Sequence, residues 1–342
     1  MGVPLKRHRF RLHGQHKPAY VTRCGRAFLG DSLQLLQAAP SESVNLVLTS
    51  PPFALRRKKS YGNVGADEYL EWFTPFAREI NRVLTKDGSF VIDLGGSWQK
   101  GEPTRSLYHF ELLLNLCGRE GSFKLAQEFY WYNPAKMPAP AEWVTIRRIR
   151  VKDAVNTIWW LSKTDNPKAN NRWVLTGYKK DMRYLLKHGY NAGRRPSEHV
   201  VSEHWNKDNG GAIPPNIIIA ANTKSHDPYL LACKKQGLKL HPARFVEQVP
   251  KFLIRFLTER GDLVLDPFAG SNVVGAVAEQ LGRKWVSMEI DQEYVLGSMA
   301  RFKAPRWFPE LSKHTETFKR VEENLVEGLN EHEQALVTEH HN

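Results

Sequence analysis

Cysteine is scarce: Cys24, Cys117 and Cys233 are the only three in 342 residues. An odd number at wide spacing excludes the disulfide framework of small secreted domains, shows no metal-ligand spacing and suits a reducing compartment. No metal site is expected. Long apolar runs are missing as well. Nothing approaches the roughly 18 consecutive apolar residues of a membrane span. The N-terminal cations are followed by no apolar stretch of the kind a signal peptide needs. Acid is absent from the first 26 residues, which carry Lys6, Arg7, Arg9, Arg11, Lys17, Arg23 and Arg26. That basic arm is either a solvated tail or a segment that contacts a polyanion backbone.

What is present fits a globular chain, 41% hydrophobic and 25% charged. Its length allows one large domain or two modest ones with a full core. Lys+Arg outnumber Asp+Glu by 49 to 36, a net charge of +13, and the pI is near 9.6. Such an excess points to a polyanionic partner, either nucleic acid or a membrane surface. The excess is uneven. Residues 134–207 hold 15 Lys+Arg against 6 Asp+Glu and so supply +9 of the +13. The stretch is rich in Asn, Trp and Tyr, the mixture that phosphate contact and base-edge reading require. Residues 162–235 read as an insertion that departs from the pattern on either side.

That surrounding pattern is strand, helix, strand. Val44 to Leu48 is a mostly apolar, β-branched run that reads as a buried parallel strand. It runs into Thr49-Ser50-Pro51-Pro52-Phe53. The two prolines cannot donate to a sheet ladder, so the strand must stop in a rigid loop at its carboxyl end. In open α/β sheets that is where ligands bind. Ser50 presents a hydroxyl there, Ser50 and Pro51 present carbonyls, and Phe53 a flat apolar face. Such a site can accept hydrogen bonds from an exocyclic amino group while stacking a planar ring; the plainer alternative is a strand ending in a proline turn. Arg56, Arg57, Lys58 and Lys59 follow, suited to phosphate contact or to a solvated loop.

Tyr69, Trp72, Phe73, Phe76, Ile80 and Val83 recur at helical spacing and predict an amphipathic core helix. Ser89 to Asp93 is a second buried strand with an acid at its carboxyl end. Upstream, Ala27 to Ser32 reads as a short strand ending in an acid, with Asp31 or Ser32 able to cap the helix that begins at Leu33. Phe129 to Tyr132 is an aromatic cluster, either core or a wall on which a base stacks. Near the other end, Leu263-Val264-Leu265-Asp266 runs into Pro267-Phe268-Ala269-Gly270-Ser271 and a helix beginning near Asn272. Gly270 lets backbone approach a ligand closely. The next strand, Trp285 to Glu289, ends in an acid placed to meet ribose hydroxyls. The full Gly-x-Gly-x-x-Gly cradle is lacking, which argues for a cofactor without a pyrophosphate, such as S-adenosyl-L-methionine, over NAD.

With both loops in place, the chain resembles the amino-methyltransferases of bacterial restriction–modification systems over about residues 27–305. The catalytic loop precedes the cofactor loop, the order of their β class. Ser-Pro-Pro-Phe is the form typical of the cytosine-N4 enzymes, whereas adenine-N6 enzymes more often carry Asp-Pro-Pro-Tyr. The resemblance implies an α/β, Rossmann-like S-adenosylmethionine-dependent methyltransferase fold. The sheet would be mostly parallel, with helices on both faces and a basic target-recognition insertion. Residues 1–26 would be a basic arm, 27–161 the catalytic part, 162–235 the target-recognition region, 236–305 the cofactor-binding part and 306–342 a tail.

The implied activity is methyl transfer from S-adenosyl-L-methionine to N4 of a cytosine flipped out of double-stranded DNA, within a CAGCTG-like palindrome, in the bacterial cytoplasm at the nucleoid. The implied catalytic residues are Ser50, Pro51, Pro52, Phe53 and Asp93. Cofactor contacts fall to Asp31, His241, Arg244, Phe245, Asp266, Phe268, Gly270, Ser271, Asn272 and Glu289. DNA contacts fall to Arg56, Arg57, Lys58, Lys59, Arg147, Arg148, Arg194 and Arg195. A cognate endonuclease would act on the same site without touching this protein. The alternatives are an adenine-N6 methyltransferase and a non-catalytic DNA-binding factor on the same fold.

Overall fold

The computed structural model describes residues 10–54, 64–118, 121–189, 193–194, 196–198, 200–201, 207–224, 227–303 and 306–307. Short apolar runs stopped by Gly, Pro or Asp form its strands, and runs with apolar positions three and four apart form its helices. In chain order the first half comprises β1 (Tyr20–Val21), β2 (Gly25–Leu29), α1 (Ser32–Gln37), β3 (Val44–Thr49), α2 (Tyr69–Val83), β4 (Leu84–Leu94), α3 (Tyr108–Cys117), β5 (Lys124–Tyr132) and β6 (Val155–Ser162). There follow α4 (Lys180–His188), β7 (Gly193–Arg194), β8 (Val200–Val201), β9 (Ile217–Ile219), α5 (Pro228–Gln236), α6 (Gln248–Leu257), β10 (Leu263–Asp266), α7 (Val273–Gln280), β11 (Lys284–Glu289), α8 (Gln292–Ser298) and β12 (Arg306–Trp307).

Ten of these strands form one sheet in the order β12-β1-β2-β11-β10-β3-β4-β6-β5-β9. The five central strands, β2, β11, β10, β3 and β4, are mutually parallel. β6 runs antiparallel to both β4 and β5. The parallel centre is buried on both faces, so its strands are apolar throughout and successive residues serve opposite cores. Leu46, Leu48 and Val264 pack under α5, α6 and α7 with Val249, Leu253 and Val277. Val47, Leu263 and Leu265 pack on the other face with Leu36, Phe73 and Ile80 of α1 and α2 and Leu112 of α3.

The predicted fold class is the observed one, and the structure adds to several local readings. Phe129 to Tyr132 lies within β5; Phe129 packs on Phe252 and Phe256, and Trp131 donates its indole N–H to the Ala220 carbonyl. These two rings are core, because β pairing sends alternate residues inward. From residue 10 the basic arm is part of the fold, with Phe10 and Leu12 buried. The insertion is less separate than its composition suggests, since β9 extends the main sheet beside β5 and α5 packs into the core through Tyr229 and Cys233. Its first residues also leave β6 at the sheet edge opposite the carboxyl ends: Lys168 pairs with Asp262 and Glu259, and Asn170 N–H donates to the Phe256 carbonyl.

One close approach explains a glycine. A Cβ on Gly25 would lie 2.1 Å from the Trp285 ring, which is fully buried and stacked on Phe302. The ring has nowhere to go. Gly25→Ala is therefore expected to lower stability by about 1–3 kcal/mol, measurable as a reduced midpoint in urea unfolding.

Candidate active site

The carboxyl ends of β2, β3, β10 and β11 converge on a cleft of about 560 Å³, within the roughly 300–1,000 Å³ range of small-molecule sites. On one side lies the loop after β3. Its prolines break the ladder, and two tyrosines then hold the chain in place. Tyr69 donates its hydroxyl to the Pro52 carbonyl at 2.9 Å, and Tyr108 donates to the Gly95 carbonyl. Phe53 lies so close to Gly95 that a Cβ there would come within 2.6 Å of the ring. Ser50, Pro51, Pro52 and Phe53 all line the cleft.

Behind Ser50 sits Asp93, the penultimate residue of β4. Ser50 donates its hydroxyl to Asp93 Oδ2 at 3.2 Å. Asp93 is 2% exposed. Burial pushes its carboxyl up to about 7, opposed by the Ser50 hydrogen bond, by the neighbouring Asn156 side chain and by the positive charge of Lys136. The group is thus balanced between acid and base near neutral pH, and its hydrogen-bonded partner opens onto the cleft.

The other side is the loop after β10. Gly270 adopts φ +50°, and a Cβ there would meet the His241 ring at 2.8 Å. The turn brings Gly270 N–H to Glu289 Oε2 at 2.6 Å. The N–H groups of Ile290 and Asp291 donate to Glu289 Oε1 at 2.9 Å each. Three backbone donors therefore fix the carboxylate at the tip of β11. Burial still raises its pKa, and these hydrogen bonds work against the rise. Phe268 packs against Trp72 and Phe76 of α2, with centroids 5.8 and 5.0 Å apart.

Asp31, His241, Phe268 and Glu289 line this cleft. Asp31 also caps α1 by accepting from Gln34 N–H. The predicted cofactor residues Asp266, Gly270, Ser271 and Asn272 build the frame behind it. Asp266 is 3% exposed and accepts from the Thr49 hydroxyl at 2.6 Å and the Phe268 N–H at 3.1 Å. Asn272 caps α7 through Gly275 N–H and donates to the Tyr20 hydroxyl. Ser271 accepts from Arg301 through its carbonyl and its hydroxyl. Arg244 and Phe245 line a separate cavity of about 250 Å³ beside α6 and α7.

Of the predicted DNA contacts, Arg56, Arg57, Lys58, Lys59 and Arg195 lie outside the described residues. Arg147 lies over the Trp143 ring and Arg148 is exposed. Arg194 pairs with Glu198 on the surface. Sequence reasoning missed Trp72 and Phe76 as cleft residues because their helical spacing also serves the core. It missed Ile290, which follows the acid, and Lys136, which lies inside the counted basic stretch.

A cofactor with a ribose and an apolar-faced ring fits these residues. The fit is geometric: an anchored carboxylate with acceptor capacity to spare, a glycine turn admitting close approach, and an aromatic wall. The fold and cleft together define a Rossmann-like enzyme whose group-transfer loop sits beside a nucleoside site. The chain belongs to the N6/N4 DNA methylase family, whose profile, described as DNA methylase, it matches over residues 44–300. It is 51% identical over 289 residues to the type II methyltransferase M.PvuII of Proteus hauseri, covering 84% of this chain and 86% of that one. It is 25% identical over 269 residues to M.BglII of Bacillus subtilis, covering 78% and 65%. Among solved structures it is similar to the cytosine-N4-specific PvuII DNA methyltransferase, with TM-score 0.71 and 44% identity over 91% of this chain and 94% of that one.

The Asp266 carboxyl also sits near 7, raised chiefly by burial and further by the charge of Glu289. Its folded pKa lies above its unfolded value, so the folded state binds more protons and this group's contribution to stability falls as pH rises from about 4 to about 7. Asn at this position cannot titrate, yet its Oδ1 can accept from both Thr49 and Phe268. The stability of Asp266→Asn relative to the parent, followed as the difference in melting temperature, is expected to rise between pH 5 and pH 8, with a limit of about 3 kcal/mol over that window. Asp93 titrates in both proteins and cancels from the difference.

Proposed function

We propose that this protein transfers a methyl group from S-adenosyl-L-methionine to the N4 amino group of a cytosine in double-stranded DNA, at a palindrome of the CAGCTG kind. The observation that carries the reading is the Ser50–Asp93 hydrogen bond opening onto the same cleft as the anchored Glu289. When bound, S-adenosyl-L-methionine supplies an electrophilic sulfonium methyl. Glu289 would hold its ribose, Asp31 its adenine amino group, and the turn at Phe268 to Gly270 with His241 its amino-acid end.

Cytosine N4 is paired inside the stack, so the base must leave the duplex to be reached. Its amino lone pair is delocalised into the ring and is a poor nucleophile. The Ser50 hydroxyl oxygen and the Pro51 carbonyl accept from N4–H, while Phe53 presents a face to the ring. Those bonds favour a tetrahedral nitrogen with its lone pair free. Such positioning is worth up to roughly 7–11 kcal/mol in well-oriented systems. The N4 proton released after transfer passes to Ser50 as the Ser50 proton moves to Asp93. A carboxyl balanced near pH 7 is matched to that step.

The sheet register supports the DNA face. Leu94 pairs with Thr157 and Tyr132 with Val155, so residues 133–154 leave and rejoin the sheet at the cleft edge. This loop carries Lys136, Arg147, Arg148, Arg150 and Lys152, all exposed, and such an array suits a phosphate backbone. Among the described residues no helix is long and apolar enough to cross a membrane. The reading places the protein in the bacterial cytoplasm at the nucleoid, protecting DNA from an endonuclease that cuts the same site.

Incubation with plasmid and S-adenosyl-L-methionine, followed by nucleoside mass spectrometry, is expected to yield N4-methylcytosine; N6-methyladenine would overturn the reading of Ser50. Ser50→Ala should slow transfer by about 100-fold, within the usual span of positioned proton-transfer groups, while the cofactor still binds. Glu289→Ala should weaken S-adenosyl-L-methionine binding by about tenfold or more in calorimetry, the effect of removing a charged acceptor. DNA affinity should hardly change.

A further inference from the structure

Flipping a base leaves a hole in the duplex. Proteins that distort DNA commonly put an apolar side chain where stacking is lost. Cations contact phosphates at any sequence, but an apolar side chain on a DNA-facing loop has few places to go except against or between bases. The loop from residue 133 to 154 carries such side chains among its cations: Met137 is 76% exposed, Ile146 69% and Val151 86%.

Met137 differs from the other two in position. Its neighbour Lys136 lines the catalytic cleft, so Met137 stands at the cleft mouth, one residue from the pocket that receives the base. The turn immediately before it is braced. Ala135 N–H donates to Asn133 Oδ1 and Lys136 N–H to the Asn133 carbonyl. Lys152 reaches across the loop to the carbonyls of Pro134 and Lys136, at 3.3 and 3.2 Å. The returning arm is tied to the loop after β4, where Asp153 accepts from the Trp98 indole N–H at 3.0 Å and pairs with Arg105. An exposed apolar side chain next to a braced turn presents its surface from an anchored point in the backbone. Methionine is unbranched and polarizable, and it conforms to irregular gaps.

We propose that Met137 is the wedge that occupies the place vacated by the flipped cytosine, holding the duplex open while the base sits between Ser50 and Phe53. It is a positioning residue, since it acts on the stack and touches neither cofactor nor reacting atoms. The proposal rests on the base-flipping reading above.

The test compares two duplexes with the full-length protein: one fully paired, and one whose target cytosine faces an abasic site and so has no pairing to lose. Single-turnover methylation by Met137→Ala and Met137→Gly is expected to fall about tenfold or more on the paired duplex and less than about threefold on the other, with Met137→Leu close to the parent. With pyrrolo-cytosine at the target position, fluorescence on binding should rise for the parent and for Met137→Leu and remain low for Met137→Ala. Equal losses on both duplexes, or no loss on either, would overturn the wedge. If the parent forms no N4-methylcytosine on either duplex, the proposed function itself fails, which is a different result.

Discussion

A single buried carboxylate joins the two halves of the site. Asp266 ends β10, and its Oδ1 accepts from both the Thr49 hydroxyl and the Phe268 N–H. Thr49 is the residue before Ser50, and Phe268 opens the turn that presents Gly270 to Glu289. One oxygen atom therefore sets the separation between the Ser50 loop and the Gly270 turn, the two loops proposed above to orient the acceptor nitrogen and to hold the donor. Burial makes this arrangement costly in its charged form, and the hydrogen bonds offset part of that cost. A rigid junction is what an in-line transfer needs, because misplacement by an ångström is expensive in rate.

The rest of the cleft follows from where strands end. The parallel strands all deliver their carboxyl ends to one edge, and their following residues are those that cannot continue a strand: prolines at 51 and 52, Pro267, and the Gly270 turn. The antiparallel β5–β6 pair adds a basic loop to that edge, while the start of the insertion leaves at the opposite one. Positive charge is thus spread over two regions with different relations to the chemistry. The loop of residues 133–154 borders the cleft. The segment holding α4 and the β7–β8 ribbon belongs to the stretch that leaves at the opposite edge, where Lys168 and Asn170 tie its start to Asp262 and Phe256.

Much of this was legible from residue order because the relevant signals are local. Apolar runs cut by Pro or Gly place β3 and β10, helical spacing places α2, and an acid at a strand end places Glu289. What could not be read depends on contacts between distant segments. Asp266, Ser271 and Asn272 sit in the cofactor loop, but partners at Thr49, Arg301 and Tyr20 turn them into its frame. Trp72 and Phe76 have one spacing and two duties, core and cleft wall, and periodicity reports only the first. The aromatic run at Phe129 to Tyr132 reads equally as core or as a stacking wall until its pairing with β6 sends alternate rings inward. Lys136 is one cation among fifteen in its stretch until the register brings its loop to the cleft edge.

The two strands that bear the active loops are neighbours in space and remote in time of synthesis. Val264 lies opposite Leu46, and Leu263 N–H donates to Asn45 Oδ1, a separation of 218 residues. At roughly 5–20 residues per second, β3 leaves the ribosome on the order of 10–40 s before the strand that completes its pairing. The half-site containing Ser50 exists through that interval without its donor half. Through that interval the edge of β3 that later pairs with β10 has no partner strand. A nascent chain therefore emerges with its Ser50 half first, and the cleft is complete only when β10 has slotted between β3 and β11.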